Sequence, residues 1–280
     1  MQHDHSAFLR LLLERINVLA PNLDIKFGPC LDVKNNEVSL SSDRTIVYVG
    51  IRNIAYFSIR KDFSEVDIQL AFAYKSSEKV VVAAYSLLLS FLHAIRGNLT
   101  FHGNGLSYNG KSYAVFGRSG AGKSTLTLFA LLNGHRLVGD DSVVIQDDHK
   151  VTGGRPFLHL TRETTEALLP NQRCFTTKQY RLLSDLELMP ALSEAQPLSK
   201  IYLLEQGERI DVLTCDDIPR ALFDMLNSSV LMSTLVKYDA GIVDRFLSLL
   251  NATKVKRLIF PRSYSKLGET LKALEHDLLI

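Results

Sequence analysis

The chain has 280 residues, of which 46% are hydrophobic and 22% charged, and its formal net charge is +2. This balance is typical of a globular protein that buries a core, and it excludes a disordered chain. It also gives no support for nucleic acid or an anionic membrane as a partner, since binding to either needs a clustered excess of basic residues.

The first residues and the cysteines bear on where the protein works. Residues 1–6 lack the basic and apolar regions of an export signal. Cys30, Cys174 and Cys215 are odd in number and widely spaced, which predicts neither a disulfide framework nor a zinc site. Residues 80–95 are apolar but fewer than the roughly 20 residues that cross a bilayer. We therefore expect a cytoplasmic protein with no membrane partner.

The N-terminal part of the chain is typical of a small α+β module. Apolar residues recur at helical spacing over 8–18, which predicts a first helix. Short β-prone segments separated by polar turns over 23–74 predict an antiparallel meander, and residues 80–95 predict a buried helix. The domain boundary is expected between residues 1–96, which form this module, and residues 97–280, which form the second domain.

A hairpin and a glycine-rich loop open the second domain. Asn109-Gly110 is a strong signal for a tight two-residue turn between paired strands. The β-branched and aromatic run 112–116 then leads into Gly117-Arg-Ser-Gly-Ala-Gly-Lys-Ser, which matches the pattern G-x-x-x-x-G-K-[ST]. A helical run from Thr125 follows and is ended by Gly134, which is the context that this pattern requires.

This loop predicts a binding site for a nucleoside triphosphate, with ATP as the expected donor. Glycines let consecutive backbone N–H groups turn inward around the phosphates, and the helix adds the positive end of its dipole. Lys123 then reaches the β- and γ-phosphates, and the Ser124 hydroxyl is expected to bind Mg²⁺. A chance match in a glycine turn is the alternative, and the flanking strand and helix weigh against it. The residues expected to contact the nucleotide are Gly117, Ser119, Gly120, Ala121, Gly122, Lys123, Ser124 and Thr125.

Two neighbouring acids and one histidine accompany the loop. Asp140 and Asp141 end an apolar strand that begins at Leu137, and there one carboxylate could bind Mg²⁺ while the other accepts a proton. A solvated turn is the alternative for this pair. The hairpin is expected to bring His102 to the mouth of the loop, although a lone histidine is more often a structural hydrogen-bonding group.

Three segments at these separations resemble the catalytic core of the bacterial HPr kinase/phosphorylase family. They are His102-Gly, the loop Gly117–Ser124 and Gly134-His-Arg-Leu-Val-Gly-Asp-Asp, and together the resemblance covers roughly residues 97–145. The resemblance implies an α/β fold with a mixed β-sheet, the P-loop core of the HPr kinase and phosphoenolpyruvate carboxykinase type.

The same resemblance implies roles for the site residues. Asp140 would be the base that activates a serine hydroxyl, and His102 would help to set that base. Lys123 would act on the phosphates, while Asp141 would support Mg²⁺ together with Ser124.

The chain also departs from the family. Bifunctional members carry a later Leu-Glu-x-Arg-Gly signature that is associated with the reverse phosphorolysis reaction. The comparable stretch here, residues 151–160, lacks the glutamate and its glycine context. Neither phosphorolysis nor HPr itself as the substrate is therefore expected. The chain is more similar to stand-alone HPr-kinase-related proteins, some of which phosphorylate the C-terminal serine of lasso peptide precursors.

We therefore expect an ATP- and Mg²⁺-dependent kinase whose partner is a peptide or small protein with a serine or threonine hydroxyl. A small-metabolite kinase and a non-catalytic ATP-binding module are the alternatives. A GTPase is not expected, because the sequence contains no Asn-Lys-x-Asp element for guanine. The acceptor and the oligomeric state have no readable motif.

Two further features of the sequence lead to structural predictions. Arg155 follows Gly153 and Gly154; it could enter the site as a charge-stabilising group, but a surface position beside a glycine turn is the favoured expectation. Asp216 and Asp217 favour the N-terminus of a helix over the apolar run that follows them.

Overall fold

The computed structural model describes residues 5–29, 36–70, 78–172, 176–215 and 241–280, together with residues 32, 34, 217, 219 and 225. The described chain is a mixed α/β protein with six helices and mixed sheets. It forms two compact units, one ending at Asn98 and the other beginning at Leu99.

The first unit is a five-stranded sheet with two helices. Its sheet has the strand order β1-β5-β4-β3-β2. The elements are α1 (His5–Leu19), β1 (Asp24–Phe27), β2 (Glu37–Leu40), β3 (Ile46–Ile51), β4 (Ala55–Arg60), β5 (Glu65–Leu70) and α2 (Glu78–Ile95).

The predicted meander holds for β2 to β5, which pair antiparallel in sequence order. The prediction is wrong for β1, which pairs parallel with β5, so that Asp24 faces Glu65. No hairpin joins these two strands, and a turn between neighbours is what imposes the antiparallel direction. The predicted helices over 8–18 and 80–95 are confirmed as α1 and α2.

Alternating burial along the strands shows where the core of this unit lies. Side chains on one face, such as Phe57, Val66 and Ile68, are fully buried, while their neighbours in sequence are partly exposed. Phe57 packs edge-on against Phe91 of α2, with ring centroids 5.0 Å apart. This period-two pattern is that of a sheet with one face on the core.

His93 is a buried titratable group near the end of α2. Its side chain accepts a hydrogen bond at Nδ1 from the Asn98 amide, 3.2 Å away. Burial, together with the positive charges of Arg15 and Arg96, lowers the pKa of His93 from 6.5 to about 4. The neutral ring is therefore the form that the folded state accommodates.

This burial predicts that acid destabilises the protein through His93. Because the pKa is lower in the folded state, the unfolded state binds more protons between pH 6.5 and 4. The stability contribution is therefore fully present above pH 6.5 and is lost as the pH falls towards 4, by about 3 kcal/mol. Urea unfolding at pH 7.5 and pH 4.5 measures this change in the free energy of unfolding.

His93→Gln removes the titrating group, and we expect a weaker pH dependence of the free energy of unfolding than in the unmodified protein. His276→Gln, at an exposed position of the C-terminal helix, is the matched control and should leave the dependence unchanged. An identical pH dependence in both variants would contradict the assignment.

The second unit is built around a larger mixed sheet, with the strand order β10-β9-β7-β8-β13-β15-β14 and β6 paired with β9. The first elements are β6 (Leu99–Phe101), β7 (Asn104–Tyr108), β8 (Lys111–Phe116), α3 (Lys123–Leu132), β9 (Arg136–Ile145), β10 (Lys150–Arg155), β11 (Leu158–Thr161) and α4 (Arg162–Leu168). The remaining elements are β12 (Lys178–Arg181), β13 (Gln196–Gln206), β14 (Asp211–Thr214), α5 (Gly241–Ala252), β15 (Lys254–Phe260) and α6 (Leu267–Leu279).

The hairpin predicted at Asn109-Gly110 is confirmed. Strands β7 and β8 pair antiparallel across it, with Tyr108 opposite Lys111. Asn109 and Gly110 have φ angles of 48° and 75°. Two consecutive positive φ values are typical of the type I′ turn, whose twist matches that of the strands.

Three neighbouring strands of this sheet run parallel. β13 pairs parallel with β8 on one side and with β15 on the other. Phe116 at the end of β8 faces Leu203, and Phe260 at the end of β15 faces Gln206. The carboxyl ends of β8 and β15 therefore meet at one edge of the sheet, where α/β proteins place their ligand sites.

None of the helices in the described part of the chain has the length and apolar character needed to cross a membrane. Cys215 is buried, with a free thiol, whereas Cys30 and Cys174 lie outside the described residues. The helix predicted after Asp216 lies mostly outside them as well.

Candidate functional site

The glycine-rich loop joins β8 to α3, as the sequence predicts. Gly120 and Gly122 have φ angles of 82° and 94°, a left-handed conformation that glycine adopts without strain. Gly122 is the N-cap of α3, and Lys123 begins the helix. The loop therefore presents the N-terminus of a ten-residue helix at the edge of the sheet.

Lys123 is folded back along the loop. Its ammonium donates hydrogen bonds to the carbonyl oxygens of Gly117, at 2.7 Å, and Arg118, at 3.3 Å. Burial lowers the pKa of Lys123, and the negative charge of Asp141 opposes that effect. The side chain is thus a cation held beside the loop backbone.

A cavity of about 570 Å³ opens over the loop. Of the residues predicted to serve the site, it is lined by Ser119, Gly120, Ala121, Gly122, Lys123, Ser124, Thr125, His102 and Asp141. Gly117 and Asp140 are not part of its wall. The fold thus brings His102 and Asp141, distant in sequence from the loop, to the same space.

A close crossing of two strands shapes the middle of β9, which continues past Asp140 and Asp141 to Ile145, so the prediction that the strand ends at the two acids is wrong. A Cβ atom on Gly139 would lie 2.5 Å from Cα of Gly153, and one on Gly153 would lie 1.8 Å from the carbonyl oxygen of Val138. Only glycine fits at both positions. The register of β10 against β9 shifts between Gly153 and Arg155, which places Arg155 opposite Asp140.

Arg155 bridges the two predicted acids. Its Nη2 atom lies 2.7 Å from Oδ2 of Asp141 and 3.3 Å from Oδ2 of Asp140, and its side chain is 4% exposed. The aromatic rings of Phe157 and Tyr180 lie beside the guanidinium, 6.0 and 5.4 Å from its central carbon. The surface position expected for Arg155 is wrong, because the register shift turns this side chain inward.

The two acids have different environments. Asp140 is 1% exposed, and its Oδ2 accepts a hydrogen bond from the backbone N–H of His159 at 2.9 Å. The side chain of Asp141 is 40% exposed. Burial raises the pKa of Asp140. Burial also acts to raise the pKa of Asp141, but the charges of Arg155 and His102 outweigh it and lower that pKa.

His102 is hydrogen-bonded to Asp141. Its Nδ1 atom lies 3.1 Å from the backbone carbonyl oxygen and 3.3 Å from Oδ1 of that residue. Both partners are acceptors, so Nδ1 carries the proton and Nε2 of the neutral ring is an acceptor. Burial lowers the pKa of His102 despite the nearby Asp141 charge, which favours the neutral ring at pH 7.

Asn104 fixes the backbone at Asp141. The Asn104 amide donates to the hydroxyl of Thr127 in α3 at 2.7 Å, and its oxygen accepts the N–H of Asp141 at 3.1 Å. Asp141 has a φ of 62°, in the left-handed region that non-glycine residues seldom occupy. The amide thus holds an unusual backbone conformation in place and ties it to the helix behind the loop.

Sequence reasoning missed several residues of the cavity wall. Asn104 could have been suspected as a polar residue in the predicted hairpin, two residues after His102. The others give no local signal, because their place depends on how distant segments fold together. The missed wall residues are Asn104, Thr161, Glu163, Thr164, Lys178, Phe260, Arg262, Ser263, Tyr264 and Leu267.

The residues present fit a magnesium ion bound together with phosphates. Ser124 and Asp141 line the same cavity and offer a hydroxyl and a carboxylate oxygen. Mg²⁺ prefers oxygen ligands and is commonly held by one or two protein groups, with phosphates and water completing the shell. The described residues contain no group of three or more histidine, cysteine or acidic side chains that could hold a metal by itself.

Comparisons with known proteins give little further information. A scan against protein-family models finds no match, and neither does a search of curated proteins. Among solved structures, the chain is similar to the Hpr(Ser) kinase/phosphatase from Coxiella burnetii, with 13% identity and a TM-score of 0.37. The alignment covers 64% of this chain and 97% of that chain.

The ion pairs of Arg155 with Asp140 and Asp141 predict a large loss of stability when Arg155 is replaced by an apolar residue. Arg155→Leu leaves Asp140 buried without its compensating charge, and we expect the free energy of unfolding to fall by about 3–5 kcal/mol. Urea unfolding at pH 7 measures the change in the second unit.

Arg162→Leu is the matched control, because Arg162 pairs with Glu166 at an exposed site where the two side chains are 62% and 54% exposed. Its expected cost is below about 1 kcal/mol. Equal losses in the two variants would show that the bridge does not stabilise the fold.

Proposed function

We propose that the protein is a phosphotransferase that moves the γ-phosphoryl group of ATP to a serine or threonine hydroxyl of a peptide or small protein. The observation that carries this proposal is the shared cavity. A glycine loop at a helix N-terminus, a lysine, a carboxylate and a neutral histidine line one space, and phosphoryl transfer uses these groups.

The loop would hold the triphosphate. Its backbone N–H groups and the N-terminus of α3 favour an anion, and Lys123 adds a positive charge. A lysine of depressed pKa that rests on loop carbonyls can exchange those weak partners for phosphate oxygens. This supports a nucleoside triphosphate as the donor, and ATP is the one we propose.

Ser124 and Asp141 are the residues that would hold Mg²⁺. The ion, when bound with the phosphates, neutralises charge that builds up on the transferring group. Asp141 suits this role because its pKa is lowered, so its carboxylate stays ionised, and because it faces the cavity.

His102 is the group best placed to take the proton of the attacking hydroxyl. The resemblance to the HPr kinase family implies this role for Asp140, but that carboxylate is buried and does not line the cavity. His102 lines it, is neutral, and has its Nδ1–H engaged by Asp141, which leaves Nε2 to accept a proton. Asp140 then supports the site from behind, through Arg155.

The acceptor class follows from the resemblance of the sequence motifs to HPr-kinase-related proteins. A peptide ending in serine, as in lasso peptide precursors, is the first acceptor to test. A mixture of hydroxylated metabolites is the second, and binding of ATP without transfer to either acceptor would identify a non-catalytic module.

Transfer is tested with γ-labelled ATP, Mg²⁺ and two sets of acceptors, a library of serine-terminated peptides and a metabolite mixture. We expect label in peptide, and we expect Lys123→Ala to lower kcat/KM on the order of 10³-fold, since Lys123 contacts the transferred group. Lys150→Ala, at an exposed position away from the cavity, should retain full transfer. Label in a metabolite alone would replace the proposed acceptor class.

The base is tested by comparing His102→Asn with Asp140→Asn in the same assay. His102→Asn should lower kcat by about 10²–10⁴-fold while leaving ATP affinity nearly unchanged. Asp140→Asn should have a smaller effect on kcat. The reverse order of effects, in folded proteins, would return the base role to Asp140.

A further inference from the structure

The two walls of the cavity differ in chemistry. One wall is polar and carries Asp141, Glu163, His102 and Lys178. A second wall is the β15–α6 segment, residues 260–267, which includes the last residue of β15 and the first residue of α6. Apart from Ala121 in the loop, the apolar side chains that line the cavity come from this segment.

The sheet explains why this segment lies beside the phosphate loop. β8 and β15 flank β13 as parallel strands, so the chain leaves both at the same edge. A Cβ atom on Gly122 would lie 3.4 Å from the ring of Phe260, which shows that this ring packs on the start of α3. A ligand held by the loop therefore has the β15–α6 segment as its neighbour.

One aromatic ring of this wall is available to a ligand. Phe260 and Leu267 are 6% and 3% exposed and belong to the core. Tyr264 is 36% exposed and lies in the short 3₁₀ turn Tyr264–Lys266 before α6. Arg262 lines the same wall, and within the described part of the chain it forms no ion pair.

A nucleotide needs both a polar surface for its phosphates and an aromatic surface for its base. Its phosphates are anionic, whereas its base has flat faces that stack on aromatic side chains. With the phosphates on the loop, the polar wall offers carboxylates, hydroxyls and a lysine, none of which is a stacking surface, and the His102 ring, which is hydrogen-bonded to Asp141 and placed by the proposed function at the attacking hydroxyl. The exposed ring of Tyr264 is the group on the wall that matches the face of a base.

We propose that Tyr264 is the stacking surface for the nucleobase, and that it makes the cavity select nucleotides over other polyphosphates. This inference rests on the proposed function, because it takes the phosphates to lie on the Gly117–Ser124 loop. Arg262 adds positive charge on the same side of the bound nucleotide.

The test compares two ligands that share phosphates but differ in the base. ADP and inorganic tripolyphosphate, each with Mg²⁺, are titrated by calorimetry into the unmodified protein, Tyr264→Ala and Tyr264→Phe. Tyr264→Ala should weaken ADP binding on the order of 10- to 100-fold and change tripolyphosphate binding by less than about twofold. Tyr264→Phe keeps the ring and should bind both ligands like the unmodified protein.

Any other result contradicts either the role of Tyr264, the recognition of a base or the phosphate site itself. Unchanged ADP affinity in Tyr264→Ala, or an equal loss of both ligands, removes Tyr264 as the stacking residue while the phosphate site stands. Equal affinity of the unmodified protein for the two ligands shows that no base is recognised. Failure of the unmodified protein to bind either ligand overturns the proposed function itself. Retained tripolyphosphate binding in Tyr264→Ala also shows that the variant is folded.

Discussion

Asp140 and Asp141 are adjacent in the chain, and both come within 3.3 Å of one nitrogen atom, Nη2 of Arg155. Two carboxylates this close repel each other, and the burial of Asp140 makes its charge costly unless a cation is present. The guanidinium supplies that cation in a site that is itself buried. Without it, the buried charge of Asp140 would lack its compensating cation.

The surrounding backbone is arranged to bring that guanidinium into place. The glycines at 139 and 153 let β9 and β10 cross more closely than any side chain permits, and the shifted register directs Arg155 towards the acids. Asp141 then adopts a left-handed conformation that turns its carboxylate towards the cavity, and Asn104 holds its N–H. Backbone strain at a functional residue persists only where neighbouring contacts determine it, as they do here.

The parts of the molecule that the sequence could predict are those decided by neighbours in the chain. The turn at Asn109-Gly110 and the loop Gly117–Ser124 depend on glycine φ angles and on strand and helix patterns within a few residues. The inward turn of Arg155 depends instead on the register between two strands, for which no local pattern exists. The same limit applies to β1, whose parallel partner is distant in the sequence.

The site residues also divide into those placed by the local sequence and those placed by tertiary structure. Lys123 and Ser124 have their positions from the loop itself, so the motif alone assigns their chemistry. Asp140 and Asp141 look equivalent in the sequence, and it is tertiary structure that buries one and exposes the other. An assignment of base and metal ligand within such a pair needs the fold, because adjacent residues of a strand point to opposite faces unless the backbone departs from the regular pattern.

The loop at one end of the cavity is a common phosphate-binding element, whereas the side chains of its walls are specific to this protein. A glycine loop binds phosphates through backbone groups that many proteins share, so it does not distinguish one phosphotransferase from another. In the proposed function, selection of the donor and of the acceptor would come from side chains on β11, α4, β12 and the β15–α6 segment. The hydroxyls of Thr125 in α3 and Thr164 in α4 lie 2.9 Å apart, so the helix that follows the loop is hydrogen-bonded to the polar wall. Phe260 packs at the start of the same helix, on Gly122. Both walls thus contact the start of α3, and in the proposed function these contacts would fix the position of an acceptor hydroxyl relative to the γ-phosphoryl group.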